Sequence, residues 1–203
     1  MNDFDENILL PPHFIRLYSV GKGRYGDVFA VLDNRTGKRF ACKTVIGVGT
    51  FHDVLATKIS SSNHIIEIIE ISKTGKNVLH IISELYEGGE LYEFILENGP
   101  FDESNTKRFV YQICVAVSEC HKAKVAHLDV KPENILLRKV VKDSKSAELV
   151  LIDFGHAKEE TSQNLKLNGP TGSVMYAAPE VLIDREFSLK KSDAWSIGVV
   201  TFV

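Results

Sequence analysis

The stretch His127-Leu128-Asp129-Val130-Lys131-Pro132-Glu133-Asn134 decides the fold and the chemistry of this 203-residue chain. It presents a carboxylate at Asp129, an ammonium two residues later at Lys131 and an amide at Asn134. The stretch is rich in turn-forming residues and follows a helical pattern, so a single loop would hold all three groups. Together they supply a proton acceptor, a cation that neutralises phosphate and a neutral metal ligand.

A second carboxylate, Asp153, opens the sequence Asp153-Phe154-Gly155, nineteen residues after Asn134. It follows the apolar strand pattern of residues 149–152. A carboxylate at the end of a buried strand is costly in free energy unless a cation meets it, and Mg²⁺ is the natural candidate. The alternative is an aspartate that only forms the turn.

A glycine-rich stretch lies near the start of the chain, Gly21-Lys22-Gly23-Arg24-Tyr25-Gly26-Asp27-Val28. Glycines at this spacing let backbone amides approach phosphate oxygens where any Cβ would clash. A dinucleotide-binding unit would need a helix directly after Gly26, whereas residues 27–31 continue as a strand. The pattern therefore predicts a hairpin that covers phosphate, with an ordinary glycine turn between strands as the alternative.

Lys43 lies fifteen residues after Val28, within Ala41-Cys42-Lys43 in an apolar strand pattern. A lysine in such a strand either faces solvent or serves a buried anion. The second possibility places Lys43 on the α- and β-phosphates of a nucleotide and Ala41 against its adenine.

The chain changes from strand to helix patterns near Tyr86. We predict an α+β protein with an N-terminal tail (1–12), a small antiparallel sheet lobe (13–86) and a larger helical lobe (87–203). The spacing of apolar residues predicts one long helix over 103–122, capped by Asp102 or Ser104, and a short helix within 50–61. The predicted strands are His13–Val20, Asp27–Leu32, Arg39–Val45, Ile65–Ile71 and Val78–Glu84.

Composition excludes several classes of protein. Lysine plus arginine number 24 against 27 aspartate plus glutamate, so binding to nucleic acid or to an acidic membrane is not expected. The three cysteines predict buried reduced thiols, and hence a cytoplasmic or nuclear protein. The acidic start and the glutamates that break the isoleucine-rich run indicate no signal peptide or transmembrane segment.

Six motifs in order over about residues 13–203 resemble the protein kinases. They are GxGxxGxV, ACK, HLDVKPEN, DFG, the segment Gly172–Glu180 and the segment Ser192–Val199. Lys131 and the Gly172-Ser173 pair before Tyr176 look like the serine/threonine branch. The Leu of HLD, the GGEL run and the long segment 138–148 resemble the calmodulin-dependent group, the death-associated kinases most of all.

The resemblance implies a two-lobed kinase-like fold and roles for single residues. Asp129 would accept the proton of a substrate Ser or Thr hydroxyl, and Lys131 would neutralise the phosphoryl group in transit. Asn134 and Asp153 would hold Mg²⁺, and His127 would pack against Phe154 rather than act as a base. The nucleotide-binding residues implied for ATP are Val20, Gly21, Lys22, Gly23, Arg24, Tyr25, Gly26, Asp27, Val28, Ala41, Lys43, Glu84, Tyr86, Glu90 and Leu136. The remaining histidines, expected to be solvated or packed, include His52, His64, His80, His121 and His156.

Two departures from the family pattern concern regulation. Residues 44–66 contain no glutamate to pair with Lys43, and Asp53 is the carboxylate at the expected position. Asp53 would either form that pair or be a surface residue. Leu128 stands where many kinases have an arginine that grips a phosphate on the activation loop, so we expect activity without loop phosphorylation.

A third departure is the stop at Val203, inside a helix that Asp193 and Trp195 are expected to begin. The resemblance implies further helices beyond it, which would cover Trp195, Ile197, Val200 and Phe202. We expect these side chains to be partly bare, and to be covered by a partner or by a missing segment. Two functions follow: a serine/threonine protein kinase, or a nucleotide-binding pseudokinase or scaffold with little catalysis.

Ser83 occupies the position that the family gives to its gatekeeper, and serine is small there. We predict a deep space behind the adenine, so that ATP analogues with bulky rings bind the wild type more tightly than Ser83→Met. Competition binding measures both affinities. Equal affinities for the two proteins would contradict the prediction.

Overall fold

The protein is described by a computed structural model that covers residues 10–23, 26–46, 52–59, 62–74, 77–161, 165–166, 171–183 and 186–202. Its contacts divide the described chain into two units. The first contains residues from 1–51 and 67–85, and the second contains those from 52–66 and 86–203. Residues 52–66, which the sequence analysis assigns to the sheet lobe, thus group with the helical part.

The first unit is a five-stranded antiparallel sheet in the order β1-β2-β3-β5-β4. A turn at Asn34–Gly37 joins β2 to β3, with Gly37 at a φ of 72° and its N–H donating to the carbonyl of Asp33 at 2.8 Å. Phe14, Val31, Cys42 and Ile82 form its core. The strands are β1 Phe14–Gly23, β2 Gly26–Asp33, β3 Arg39–Ile46, β4 Ile68–Thr74 and β5 Val78–Glu84.

The isoleucine-rich run divides between the two units. β4 begins at Ile68, three residues later than the sequence predicts. The residues before it pair elsewhere: Ile65 forms a parallel bridge with Leu151, and the N–H of Ile66 donates to the Leu151 carbonyl at 2.9 Å. Two isoleucines followed by a glutamate occur in both halves of the run, so the pattern alone does not separate them.

The second unit holds four helices and six short strands in its described residues. The helices are α1 Leu91–Asn98, α2 Glu103–Lys122, α3 Pro179–Ile183 and α4 Leu189–Phe202. The strands are β6 Val125–Ala126, β7 Ile135–Leu137, β8 Leu149–Leu151, β9 Lys158–Glu159, β10 Leu165–Lys166 and β11 Glu186–Phe187. The 3₁₀ segments are His52–Lys58, Pro132–Asn134, Ser144–Ser146 and Phe154–His156. The α+β prediction is confirmed.

Helix α2 has the predicted bounds, and Asp102 caps it by accepting the N–H of Asn105 at 2.7 Å. Its buried side chains recur every three or four residues, which places one face in the core. The prediction of three buried cysteines is wrong for Cys114, which lies on the outer face of α2 and is exposed. Cys42 and Cys120 are buried, and burial raises the pKa of the Cys42 thiol to about 11.

Helix α4 begins at Leu189, four residues before the predicted start at Asp193. Trp195 is 49% exposed and Phe202 is 93% exposed, in line with the expectation of a partly bare helix. Val200 is buried, so the expectation is wrong for that residue. Among the described helices, none combines the length and the apolar character that crossing a membrane requires.

We predict that Gly88→Ala lowers the free energy of unfolding by about 2 kcal/mol, as overpacking does. A Cβ there would lie 2.4 Å from the carbonyl oxygen of Leu137, so the backbone must shift. Chemical denaturation measures the change. As control, Gly198→Ala should stabilise by up to about 1 kcal/mol, because a Cβ on this α4 residue meets nothing within 4 Å. Equal stability of the two variants would contradict the prediction.

Candidate active site

The loop after β6 holds Asp129 in a closed set of hydrogen bonds. Asp129 is 5% exposed. Its Oδ1 accepts the backbone N–H of Ser173 at 2.7 Å, and its Oδ2 accepts from Nδ2 of Asn134 at 2.8 Å. The Nζ of Lys131 lies 3.2 Å from Oδ2. The structure therefore brings Asp129, Lys131 and Asn134 together, as the sequence predicts.

Lys131 links this loop to the segment at 171–173. Its Nζ donates to the hydroxyl of Ser173 at 2.7 Å while it stays beside Asp129. The motif that contains Ser173 does not by itself predict a role for this serine. The serine binds both catalytic candidates, the lysine with its hydroxyl and the aspartate with its N–H. The one feature of the sequence that could have indicated this role of Ser173 is its position directly after Gly172.

Asn134 has both of its side-chain N–H bonds committed to Asp129, one to the carboxylate and one to the backbone carbonyl, each at 2.8 Å. The amide oxygen is then the atom that would ligate a cation. The N–H of Ile152 donates to the Asn134 carbonyl at 2.9 Å, which fixes this residue beside the strand that leads to Asp153.

Opposing influences set the ionisation of Asp129. Burial raises the pKa of its carboxyl, but the charge of Lys131, the hydrogen bond from Ser173 and the nearby ring of His156 together lower it by more. The pKa lies below its usual value, so the carboxylate is ionised at neutral pH. It acts as an oriented acceptor of hydrogen bonds rather than as a strong base.

His127 is packed, as expected, and both of its ring nitrogens are used. The ring is fully buried and meets Phe154 edge-on, with 4.8 Å between centroids. Its Nε2 lies 2.9 Å from the carbonyl oxygen of Ile152, and its Nδ1 accepts the N–H of Asp129. Because a carbonyl only accepts, the proton is on Nε2 and the ring is neutral.

Asp193 of α4 orients the loop, a role that the sequence analysis does not give it. The side chain is fully buried. Its carboxylate accepts the N–H of His127 at 3.0 Å and of Leu128 at 2.8 Å, and its Oδ2 is 2.7 Å from Nε2 of His121. Asp193 is a carboxylate within an otherwise apolar helical pattern, and this feature of the sequence could have indicated a buried structural role.

Asp153 lies two residues after the end of β8 and opens a 3₁₀ turn. Its φ of 58° places it in the left-handed region, and its Oδ1 accepts the N–H of Gly155 at 3.3 Å. It therefore forms a turn, as the alternative interpretation proposes, and such a turn does not exclude a metal-binding role. In the described residues, no group of three or more His, Cys, Asp or Glu could hold a metal ion by itself.

The first unit carries Lys43 and the glycine hairpin. Lys43 of β3 lies opposite Val28 and Ile81. Gly23 lies opposite Gly26 at the hairpin end, so the stretch continues as strands, as predicted. Arg24 and Tyr25 lie outside the described residues, as does the side chain of Lys22. The candidate Asp27 lies on β2, opposite Lys22 and Thr44.

The two outer glycines of the hairpin differ. Gly26 has a φ of 152°, and a Cβ there would lie 1.9 Å from the carbonyl oxygen of Thr44, so the fold itself requires glycine. A Cβ on Gly21 would meet nothing within 4 Å. Open space at Gly21 is what a phosphate cradle needs.

The remaining candidates for nucleotide binding lie on both units. Ala41 of β3 pairs with Ser83 of β5, which is 5% exposed. Val20 is half-exposed on β1, and Glu84 ends β5. Those of the second unit are Tyr86, which is buried, and Glu90 and Leu136, which form an antiparallel bridge.

Asp53 is buried, with 8% of its surface exposed, so the surface alternative is wrong. It lies in the segment His52–Lys58. Two contacts join this segment to β9 of the second unit: Lys58 Nζ lies 2.6 Å from Glu159 Oε2, and His52 Nε2 lies 3.2 Å from Lys158 Nζ. Its pairing with Lys43 stays a prediction.

Leu128 is 5% exposed and has a φ of 64°. Its side chain joins an apolar cluster with Ala126, Ala178, Val181, Phe187 and Leu189. This cluster packs the loop against α3, β11 and α4, in addition to the hydrogen bonds that Asp193 of α4 accepts from it.

The family model for the protein kinase domain matches residues 14–203, which is nearly the whole chain. The fold and the set around Asp129 agree with it, and the chain belongs to the protein kinase family.

Relatives of known name are similar over most of this chain. Testis-specific serine/threonine-protein kinase 3 of Mus musculus is 30% identical, over 98% of this chain and 75% of its own length. Calcium-dependent protein kinase 5 of Plasmodium falciparum is 33% identical over 92% of this chain. Sucrose non-fermenting protein kinase 1 of Fusarium virguliforme is 31% identical, also over 92%. The chain spans only 33% and 27% of the length of these last two proteins.

We predict that Gly172→Ala lowers the rate of phosphoryl transfer at least tenfold. Gly172 has a φ of 77°, and a Cβ would lie 2.2 Å from the carbonyl oxygen of Leu128. Relief of that clash moves Ser173 away from Asp129. Steady-state kinetics measure the loss.

Gly99→Ala is the matched control, because Gly99 has a φ of 73° but nothing within 4 Å of the added Cβ. The Gly99→Ala variant introduces the same backbone strain without a steric clash, so it should keep the wild-type rate. A rate for Gly172→Ala equal to that of the control would refute the prediction.

Proposed function

We propose that this chain is the catalytic part of a serine/threonine protein kinase that transfers the γ-phosphoryl group of MgATP to protein Ser or Thr hydroxyls. The observation that carries the proposal is the ionised Asp129 carboxylate, fixed by Ser173, Asn134 and Lys131. Few other reactions need an oriented acceptor, a lysine and a metal-binding amide within six residues.

The transition state of phosphoryl transfer is loose, so positioning and charge contribute more than base strength. Asp129 orients the substrate hydroxyl and takes its proton as the bond to phosphorus forms. Lys131 lies 3.2 Å from that carboxylate and neutralises negative charge on the phosphoryl oxygens. The lowered pKa of Asp129 keeps the acceptor ionised throughout the neutral range.

Gly21 and Lys43 of the first unit are the proposed phosphate-binding residues, and Asn134 and Asp153 of the second unit are the proposed metal ligands. Gly21, where an added Cβ meets open space, leaves room for phosphate, and Lys43 would bind the α- and β-phosphates. Asn134 and Asp153 would hold Mg²⁺ with their oxygens, the ligand atoms that this ion prefers. When bound, the ion neutralises phosphate charge and orients the phosphoryl group.

A second candidate is a nucleotide-binding pseudokinase or scaffold. It is favoured by the lack of any glutamate in residues 44–66, where kinases supply the partner of the strand lysine. Asp53 has a side chain one methylene shorter than glutamate. Placement in the calmodulin-dependent group, a cytoplasmic or nuclear location and the absence of nucleic-acid or membrane partners stay predictions.

We predict that Asp129→Asn lowers phosphoryl transfer at least about 100-fold, the usual contribution of a positioned proton acceptor. Transfer of ³²P from ATP to a Ser/Thr peptide measures the rate. Glu103→Gln is the matched carboxylate control, since its side chain is 83% exposed and pairs with Lys107.

Binding of MgATP is measured by the thermal stabilisation that it gives the protein. Together with the rate of transfer, this measurement separates the two candidate functions. The kinase proposal requires transfer by the wild type and its loss in Asp129→Asn with nucleotide binding retained. Thermal stabilisation by ATP without any transfer by the wild type would support the binding module instead.

A further inference from the structure

The ring of His156 joins the turn after Asp153 to the segment that contains Ser173. His156 is the last residue of the 3₁₀ segment Phe154–His156. Its Nδ1 lies 3.1 Å from the hydroxyl of Thr171 and 3.2 Å from the backbone nitrogen of Gly172. One ring nitrogen thus contacts two consecutive residues, fifteen and sixteen positions further along the chain.

These contacts define the state of the ring. A backbone N–H only donates, so Nδ1 must present its lone pair to Gly172. The proton of the neutral ring is then on Nε2, and the Thr171 hydroxyl is a second donor to Nδ1. At acid pH a proton on Nδ1 would turn this atom into a donor. Two donors, Nδ1–H and the N–H of Gly172, would then face each other and the hydrogen bond would break.

The contact leads directly to the catalytic candidates. Gly172 precedes Ser173, whose N–H donates to Asp129 and whose hydroxyl accepts from Lys131, both at 2.7 Å. On its other side, Gly172 is so close to the Leu128 carbonyl that no Cβ fits. Gly172 is therefore held between His156 and the loop of Asp129.

We propose that His156 is a positioning residue for phosphoryl transfer: its unprotonated Nδ1 holds Gly172 so that Ser173 keeps Asp129 and Lys131 in their reactive orientation. This role rests on the kinase function proposed above. It differs from the solvated or packed role that the sequence suggests for this histidine, and it makes transfer sensitive to acid.

The charged groups near His156 lie on the catalytic loop, on its own turn, on the segment His52–Lys58 and on β9. Asp129 and Lys131 lie on the catalytic loop, and Asp153 lies on its own turn. Burial and then the charge of Lys158 lower the pKa of His52. Asp53 is beside His52 on the same segment and opposes this shift. Asp129 has a lowered pKa as well, so both Asp129 and His52 exchange their protons at a lower pH than such groups ordinarily do.

Two substitutions separate hydrogen bonding from packing. In His156→Asn the side-chain oxygen replaces Nδ1 as an acceptor and takes up no proton. In His156→Leu the volume remains but the acceptor is lost. His52→Asn is the control, because it removes a neighbouring histidine that contacts Lys158.

The experiment measures kcat and KM for ATP and a Ser/Thr peptide between pH 5.5 and about 8, the range in which histidines titrate. We expect His156→Leu to lower kcat about tenfold at pH 8 with KM for ATP within twofold. His156→Asn should keep kcat within threefold and lose the acid decline. His52→Asn should retain the wild-type profile.

Two-dimensional NMR of the histidine rings gives a readout that does not need catalysis. In the wild type, ¹⁵Nδ1 of His156 should have the shift of an unprotonated nitrogen at pH 8. It should titrate together with the amide of Gly172 and at the midpoint of the acid decline in kcat.

Either of two results would overturn the proposal: wild-type kcat in folded His156→Leu, or a protonated Nδ1 at pH 8. If His156→Leu does not fold, an acid decline that persists in His156→Asn overturns it. If the wild type transfers no phosphate, the proposed function fails, and a Gly172 amide that titrates with His156 still establishes the contact.

Discussion

The geometry of the second unit depends on one buried carboxylate, that of Asp193. Burying a charge costs several kcal/mol unless hydrogen bonds replace the lost water. Here the N–H groups of His127 and Leu128 and the ring of His121 supply them. Leu128, which has a positive φ, turns the chain directly after these two N–H groups. The same backbone turn directs Asp129 to the opposite side, toward Ser173.

Apolar packing stabilises this strained turn. Leu128 is buried among Val181, Phe187 and Leu189, and a left-handed residue of this size persists only where its surroundings offset a cost of about 1–3 kcal/mol. An arginine at this position would make the conformation of the catalytic loop depend on its binding to a phosphate group on the activation loop. With a leucine at this position, activity without loop phosphorylation stays a prediction.

The sequence was sufficient wherever a regular repeat or a contiguous motif carried the information. The bounds of α2 and β5 followed from apolar spacing, and Asp129, Lys131 and Asn134 were found because they lie within six residues. Ser173 and Asp193 were missed as functional residues because their hydrogen bonds join positions 44 and 66 residues apart. The boundary between the two units after Ile66 was not predicted, because both halves of the isoleucine-rich run are equally apolar. Only the pairing of the first half with β8 distinguishes them.

The pairing of residues 64–66 with β8 has a consequence for how the protein is made. The chain passes between its two units three times, at 51/52, 66/67 and 85/86. A nascent chain emerges from its N-terminus, so residues 64–66 must wait for Leu151, their hydrogen-bonding partner, to be synthesised. The sheet can form early around a connection that is still unpaired. Cutting the gene at Tyr86 would therefore not yield two independent halves, since the first would carry a segment whose partners lie in the second.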